Sequence, residues 1–419
     1  MKKALLIAIT NQAISSGTTF ALTILLINQI NQREFGIYAL AIASILFFTG
    51  LGNALILVNV SINLGNTQKE RRKIFVERAT RSILIFGALA IILATTSTII
   101  INQILKPPNQ FETIDSILFG IAIGCYIALT LIKDLQTRLF YAEECESRVL
   151  AATVTYSATI FIFLLIPIEL NTTIINDAKS ALLLQCVALI AAISTGLQRL
   201  SKSTFRSSAT EAITQFKFDL LHGADAGKAN IINWLRSYGF NWITGIWGGP
   251  IAVAQMNASR LMITPPALIL PAIGQPLLAR LSRGLQQGKN IAAPLANRAI
   301  YITLIATLLY ATPVLLYHDY IVKLLFGPQY IGTKALTYLW VLFIFFSSIS
   351  TISTITLQAL KEFNYLKNIA LLSLAILLAI VYPLFSAYET PGILASVVIS
   401  EAFIALILLT KVMKGNARR

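Results

Sequence analysis

Charged residues are scarce in this sequence. Only 12% of the 419 residues are Asp, Glu, Lys or Arg, whereas 56% are hydrophobic. A soluble protein carries about 25% charged residues, and a water-soluble fold of this length needs far more polar surface. The composition therefore disfavours a soluble enzyme, a secreted disulfide domain and a disordered chain. It favours a polytopic α-helical membrane protein.

Groups that perform catalysis or bind metals are also few. His222 and His318 lie in different segments, so they form neither a HExxH motif nor a triad. The three cysteines are far apart and form no CxxC motif. Residues 223–229 fail the spacing of a Walker loop and end in Ala, where Ser or Thr would bind magnesium. We therefore predict no enzymatic activity, no metal and no cofactor.

Apolar runs of membrane-spanning length recur twelve times, and none shows the strict alternation of a membrane β-strand. Only helices otherwise satisfy the backbone in lipid. The fold class predicted is all-α, with about twelve transmembrane helices in two six-helix lobes around a central cavity. The predicted spans are Leu5–Ile30, Ile37–Val60, Ile83–Leu105, Ile117–Ile132, Val149–Ile168, Ala181–Leu197, Ile231–Trp247, Ile251–Leu278, Ile300–Leu316, Ala335–Leu357, Ile369–Phe385 and Ile393–Thr410.

The positions of the basic residues predict the orientation. With both termini cytoplasmic, 26 of the 33 Lys and Arg residues lie on the cytoplasmic side and five on the opposite side. This asymmetry accounts for the net charge of +15 without nucleic acid, and it predicts contact with anionic lipid headgroups. The start Met1-Lys2-Lys3 resembles a signal peptide, but the apolar stretch continues to about Ile30, which favours a membrane span.

The longest polar interruption, Arg199–Lys228, separates six predicted spans from six others. We predict an N-terminal lobe at 1–198, a cytoplasmic crossover linker at 199–228 and a C-terminal lobe at 229–419. Two such halves are a frequent plan of transporters, whose substrate sites lie between them near the bilayer midplane.

Arg260 is the most informative intramembrane charge. It follows Pro250 by ten residues, which places it roughly 15 Å deep at a rise of ~1.5 Å per residue. An arginine there costs about 2.5–3.5 kcal/mol on insertion scales, so it should face the protein interior or water. Its guanidinium suits a phosphate, although bonds to helix carbonyls or to a nearby carboxylate would also explain it. Four prolines between 265 and 276 predict a bend in the same span, either a static kink or the lining of a translocation path.

Two further charges lie in predicted spans. Arg236 is near the cytoplasmic end of its span, where it can bind substrate or extend to the interface. Glu401 lies inside the last span, where a carboxylate can titrate or pair with an arginine, as ion coupling requires. The alternative is that Glu401 holds another helix.

Uncharged polar residues complete the candidate site. Asn11 and Ser15 share one helical face with Thr18 and Thr19, and Asn53 and Asn257 lie in other spans. Such side chains can solvate sugar hydroxyls in a hydrated cavity, or they can hydrogen-bond between helices.

Three stretches resemble the multidrug/oligosaccharidyl-lipid/polysaccharide exporter superfamily, and within it the O-antigen-type oligosaccharide flippases (polysaccharide biosynthesis proteins). They are Arg33–Leu40 (REFGIYAL), Asn241–Ala254 followed by Pro276–Ser282, and Leu324–Tyr330 (LLFGPQY). The resemblance implies transfer of an undecaprenyl-diphosphate-linked oligosaccharide, such as an O-antigen repeat unit, from the cytoplasmic to the periplasmic leaflet by alternating access.

The resemblance also sets the expected surroundings. These are the bacterial inner membrane, a lipid-linked glycan as substrate, membrane lipids, and a polysaccharide polymerase and chain-length regulator as candidate partners. A cation-coupled multidrug exporter is an alternative, but the first span lacks the acidic residue that such exporters often place there. An integral-membrane glycan polymerase or ligase is an alternative of another class.

Overall fold

The computed structural model describes residues 2–58, 60, 69–105, 113–143, 145–169, 175–196, 209–267, 269–287 and 292–415. Every regular element in these ranges is helical. The α-helices are α1 (Lys2–Gln29), α2 (Gln32–Gly52), α3 (Lys69–Leu105), α4 (Thr113–Ala142), α5 (Glu146–Glu169), α6 (Ala178–Ser194), α7 (Ala209–Ser237), α8 (Gly239–Leu261), α9 (Thr264–Ala267), α10 (Ile269–Gln286), α11 (Ala292–Leu316), α12 (His318–Leu325), α13 (Lys334–Ala359) and α14 (Phe363–Gly415). A π-helical turn, Asn53–Leu57, extends α2, and a 3-10 helix, Pro328–Thr333, precedes α13.

The all-α multi-pass membrane architecture is confirmed. Within the described ranges, seven helical segments are long and apolar enough to cross a membrane. They are Gln32–Leu57, Val76–Ile100, Ile114–Ala142, Glu146–Leu165, Ala292–Leu316, Pro328–Ala359 and Phe363–Met413. The shorter helix Ala178–Ser194 is also apolar.

The longest of these segments, α14, contains two of the predicted spans. Its backbone leaves the helical region at Glu389, where φ is 54°. The Ser373 and Ser400 hydroxyls lie 3.0 Å apart on opposite sides of this break, and Lys411 approaches Glu362 to 3.7 Å. These contacts show that the chain reverses at Glu389, so the two arms of α14 pack antiparallel.

The chain forms two compact units, Met1–Ile231 and Ile232–Arg419. The domain boundaries derived from the sequence stay a prediction, as does the central cavity. Residues 199–208 of the predicted linker lie outside the described residues, and 209–228 form the first part of α7.

In the first unit, α3 and α4 pack closely because of small residues. Gly120 and Gly124 are four residues apart on α4, and a Cβ atom at Gly124 would collide with the backbone of Ile91 on α3. Membrane helices commonly use such pairs of small residues to bring their backbones together.

The beginnings of α2, α4 and α6 are joined by polar contacts. The Ala178 amide donates to Glu34 Oε2 at 3.0 Å, and Lys179 Nζ donates to Asp115 at 2.7 Å. The bond to Asp115 raises the pKa of Lys179 above its ordinary value. Asp177 caps α6 through the amide of Ser180. The predicted orientation places these groups on the outer face.

The polar start of α7 packs against the first unit along one face. Phe216 and Asp219 are buried, and Gly223 and Gly227 continue the same face and lie against Leu55. This spacing is that of an amphipathic helix. Asp219 accepts hydrogen bonds from Ser82 (2.5 Å) and Gln215 (3.0 Å), but burial raises the pKa of its carboxyl above the ordinary value.

In the second unit, small and branched side chains of α10, α11, α13 and α14 form the core. Leu281, Ala296, Ile352 and Leu408 are at most 2% exposed. This core includes α13 and α14, which carry Trp340, Ser350 and Glu401 described below.

The predicted spans Ile231–Trp247 and Ile251–Leu278 are less regular than expected. The first is interrupted at Tyr238, between the end of α7 and the start of α8. The second breaks after Leu261 and continues through the short α9 into α10. Pro265 and Pro266 lie in this second break and remove backbone donors, which explains why a continuous helix does not form there.

Candidate substrate-binding and ion-pair residues

A reversal of the chain inside α8 positions the first group of candidate residues. Gly249 has a φ of 77°, a conformation that side chains disfavour, and Pro250 follows it. Asn257 Nδ2 donates to Asn241 Oδ1 at 2.8 Å across the reversal. The two arms of α8 therefore run antiparallel, and Arg260 returns to the level of Tyr238.

Arg260 is half-buried and surrounded by aromatic rings. Its guanidinium carbon lies 5.2 Å from the ring centroid of Tyr238, 5.8 Å from that of Phe240 and 5.2 Å from that of Trp340. We call these three rings the aromatic cage. No carboxylate lies within 4 Å of Arg260 among the described residues. The charge is thus accommodated by cation–π contacts rather than by an ion pair.

The geometry of the cage is fixed by further contacts. Trp340 Nε1 donates to the carbonyl of Met256 at 3.1 Å, and its ring packs edge-on against Phe240 at 5.6 Å. Phe240 and Trp340 are at most 2% exposed, so their positions are set by the core of the second unit. The cage is therefore a rigid environment for a cation.

Arg236 and Glu401 form an ion pair in the second unit. Arg236 Nη2 donates to Glu401 Oε2 at 3.1 Å, and the two side chains are 25% and 11% exposed. The other carboxylate oxygen, Oε1, accepts a hydrogen bond from Ser350 on α13. The candidate anion-binding arginine and the candidate ion-coupling carboxylate thus contact each other, which sequence spacing alone did not predict.

Asn257 lies one turn before Arg260 on the same arm of α8. Besides its contact with Asn241, it donates to the carbonyl of Val253 at 2.9 Å. Its amide therefore connects the arms of α8, and its side chain is half-buried.

In the first unit, Asn53 begins the π-helical turn after α2. Its amide donates to Asp134 at 3.0 Å, and its Oδ1 accepts from Arg138 at 3.0 Å. Arg138 also donates to the carbonyl of Leu57 at 3.0 Å, at the end of the same turn. The structure thus uses Asn53 to join α2 to two charges on α4.

The polar face predicted on α1 serves two kinds of contact. Thr18 donates to Ser157 of α5 at 2.7 Å, which is packing between helices. Asn11 Oδ1 is buried and has no hydrogen-bond partner among the described residues, and the Ser15 side chain is half-buried. Asn11 therefore retains an acceptor that a ligand or water could satisfy.

Sequence reasoning missed the aromatic cage, Ser350, Asp134 and Arg138. The residues concerned are distant in sequence, and only Arg260 itself signalled the site through its charge. Among the described residues, no group of three or more His, Cys, Asp or Glu side chains is arranged to hold a metal.

Comparison with solved structures identifies the fold. The chain is similar to an inward-facing multidrug resistance MATE family transporter of the MOP superfamily, with a TM-score of 0.74, 13% identity and 98% of each chain covered. It is similar to the lipid II flippase MurJ in an inward closed conformation, with a TM-score of 0.73, 14% identity, and 98% of this chain and 87% of that chain covered.

A MOP superfamily transporter from Pyrococcus furiosus, whose binding pocket is described as having reversed polarity, gives a TM-score of 0.57 at 15% identity, covering 99% of this chain and 96% of that one. No family model and no curated protein matches the sequence. The protein is thus a multi-pass helical membrane protein with the fold of the MOP superfamily, which the resemblance in its sequence implied.

Proposed function

We propose that this protein is a flippase that moves an undecaprenyl-diphosphate-linked oligosaccharide, such as an O-antigen repeat unit, from the cytoplasmic to the periplasmic leaflet. The observation that carries the proposal is Arg260, a half-buried cation held by aromatic rings and paired with no carboxylate in the described residues. The similarity to transporters and to a flippase supports the class.

Arg260 suits a diphosphate for two reasons. Cation–π contacts are each worth about 0.5–2 kcal/mol, so the cage offsets part of the cost of desolvating the guanidinium. No acceptor among the described residues takes a hydrogen bond from this guanidinium, so its N–H donors can bind phosphate oxygens. The cage therefore holds a cation ready for an anionic substrate.

The Arg236–Glu401 pair provides ion coupling. While Glu401 is ionised, it neutralises Arg236 and accepts the Ser350 hydrogen bond. Separation of the pair releases Arg236 as a second cation for the substrate, and re-formation of the pair weakens binding. The sugar hydroxyls are solvated by polar groups such as Asn11, Ser15, Asn53 and Asn257, and the polyprenyl tail remains in lipid.

The cage also bears on the alternative of a multidrug exporter. Aromatic faces attract organic cations, but here Arg260 occupies the space among the three rings and would repel a cationic drug. This observation favours an anionic substrate. The inner membrane, cytoplasmic termini, and a polymerase and chain-length regulator as partners belong to the same proposal.

Substitution of Arg260 tests the proposal in a strain that lacks the native gene. We expect R260A to lower glycan display by about ten- to hundredfold, since a hydrogen bond to a charged group contributes about 1.5–3 kcal/mol. The lipid-linked glycan should accumulate on the cytoplasmic leaflet. R298A replaces an exposed arginine of α11 and is the matched control.

Protein abundance in the membrane is measured in parallel, and R260K tests whether charge without the planar guanidinium suffices. Wild-type display by R260A would remove Arg260 from the mechanism. Increased drug sensitivity of the deletion strain together with normal glycan display would favour the exporter instead.

A further inference from the structure

Lys133 on α4 is a second intramembrane cation without an ion pair in the described part of the chain. Its ammonium nitrogen lies 5.1 Å from the ring centroid of Tyr156 on α5, and no carboxylate of the described residues approaches it within 4 Å. Lys133 precedes the end of α4 at Ala142 by nine residues, a distance of roughly 14 Å along the helix. Tyr156 follows the start of α5 at Glu146 by a similar distance.

The direction of this side chain is informative. A lysine near a membrane surface usually extends its charge towards the nearer interface, which for Lys133 is the cytoplasmic one in the predicted orientation. Side chains on a helix lean towards its N-terminus, and the N-terminus of α4 lies on the outer side. Tyr156 lies at a similar depth on α5, so the contact holds the ammonium within the helix pair rather than at its cytoplasmic end.

Other polar groups lie on the same face of α4. Thr130 is three residues before Lys133, and Tyr126 is four residues before Thr130, the spacing of neighbours on one helix face. Thr130 Oγ1 is buried without a hydrogen-bond partner among the described residues. By contrast, Thr137 on the same helix donates to the carbonyl four residues earlier, at 2.9 Å. The Tyr126 and Tyr156 side chains lie beside one another.

We propose that Lys133, Thr130, Tyr126 and Tyr156 form an anion subsite in the first unit that binds the phosphoryl groups of the substrate. This inference rests on the proposed function for the identity of its ligand. The ammonium supplies the charge, the Thr130 and Tyr156 hydroxyls supply hydrogen-bond donors, and the hydrogen bond from Tyr126 holds Tyr156 in place. Phosphoryl oxygens would satisfy the unpartnered Thr130 hydroxyl and replace water around Lys133.

The neighbouring carboxylate does not occupy this subsite. Asp134 follows Lys133 in sequence, but its Oδ2 accepts from Asn53 on α2. Arg138 donates to the same asparagine at its Oδ1. The Asp134 carboxylate is thus hydrogen-bonded to α2 and makes no ion pair with Lys133 among the described residues, although its charge still acts on Lys133 and Tyr126 through space.

Binding of undecaprenyl diphosphate to the purified full chain in lipid nanodiscs tests the inference. We expect K133M to weaken binding at least tenfold, T130V to weaken it about threefold, and K133R to retain most of it. Binding of undecaprenol, which lacks phosphate, should not depend on Lys133. K228M is the matched control, because Lys228 is an exposed lysine paired only with the exposed Asp225. Thermal unfolding of each variant shows whether it is folded, and K133Q replaces K133M if that variant is not.

The outcomes separate the subsite from the proposed function. If undecaprenyl diphosphate binds equally to wild type and K133M, the subsite is wrong while the proposed function stands. If the wild-type chain does not bind undecaprenyl diphosphate but binds pyrophosphate or phosphatidylglycerol in a Lys133-dependent manner, the anion subsite stands and the proposed substrate is wrong. Binding of none of the three anions would overturn the subsite.

Discussion

Neutralising Glu401 without changing its size should increase the affinity for an anionic substrate. In E401Q, the amide can keep a hydrogen bond with Ser350, but it no longer neutralises Arg236. Under the proposed function, the guanidinium is then always available to phosphate. The variant should therefore bind undecaprenyl diphosphate more tightly than wild type.

The magnitude follows from the contact between the two charges. At 3.1 Å, a unit charge pair in a medium of effective dielectric constant near 20 gains about 5 kcal/mol. Desolvation offsets much of this gain, and measured coupling energies between contacting residues are about 0.5–3 kcal/mol. A substrate that competes with Glu401 for Arg236 should therefore bind about two- to 150-fold more tightly to E401Q.

A double-mutant cycle tests whether E401Q acts by releasing Arg236. Affinity for undecaprenyl diphosphate is measured for wild type, E401Q, R236M and the double variant at fixed pH and salt. The gain from E401Q should disappear in the R236M background, since there is no guanidinium to release. E362Q is the control, because Glu362 is a more exposed carboxylate just before α14 that is paired with Lys411 at 3.7 Å. An equal gain in both backgrounds, or an equal gain from E362Q, would refute a release of Arg236.

Three further predictions concern stability. Because burial raises the pKa of Asp219, the folded state favours the protonated carboxyl. The stability that this preference gives is lost as pH rises through the raised pKa. The melting temperature of D219N should therefore increase relative to that of wild type from about pH 4 to pH 7, and a constant difference would contradict the argument. G124L should destabilise the folded protein by about 1–3 kcal/mol or prevent folding, because the new side chain would collide with Ile91. G17A is the control, since Gly17 has open space around it, and it should be neutral or stabilising by up to about 1 kcal/mol in the same measurement. N53A should cost about 1–3 kcal/mol, because it removes one hydrogen bond from Asp134 and one from Arg138; an unchanged unfolding midpoint would show that water replaces the amide.

Much of the fold could be predicted from the sequence because membrane spans carry a strong local signal. Hydropathy alone located the two arms of α14, which are joined by the reversal at Glu389. The reversal at Gly249 was also local, since glycine before proline disfavours helix. The break at Tyr238 was not predicted, because Ser237 and Gly239 beside it are weak helix-breaking signals without a proline.

The candidate site was predictable in its charges but not in their partners. A charged residue inside a predicted span is identified as a candidate because burying its charge in the bilayer costs free energy. This reasoning selected Arg260, Arg236 and Glu401. The partner of each charge depends on tertiary packing. Arg236 and Glu401 are 165 positions apart, so their contact could not be predicted from the sequence. The same limit applies to Trp340, which reaches Arg260 from α13.

The three intramembrane cations differ in how their charge is accommodated, and this difference separates their roles. Arg236 is neutralised by a carboxylate, so it binds an anion only when that carboxylate releases it. Arg260 and Lys133 contact aromatic rings, which lower the cost of burial without cancelling the charge. Selection for stability alone would favour pairing or removing such charges, since replacing buried ions by apolar groups is often neutral or stabilising. Two cations without an ion pair among the described residues, one in each unit, therefore each favour the binding of an anion. Under the proposed function, a chain carrying both R260A and K133M should lose glycan display more completely than either single variant.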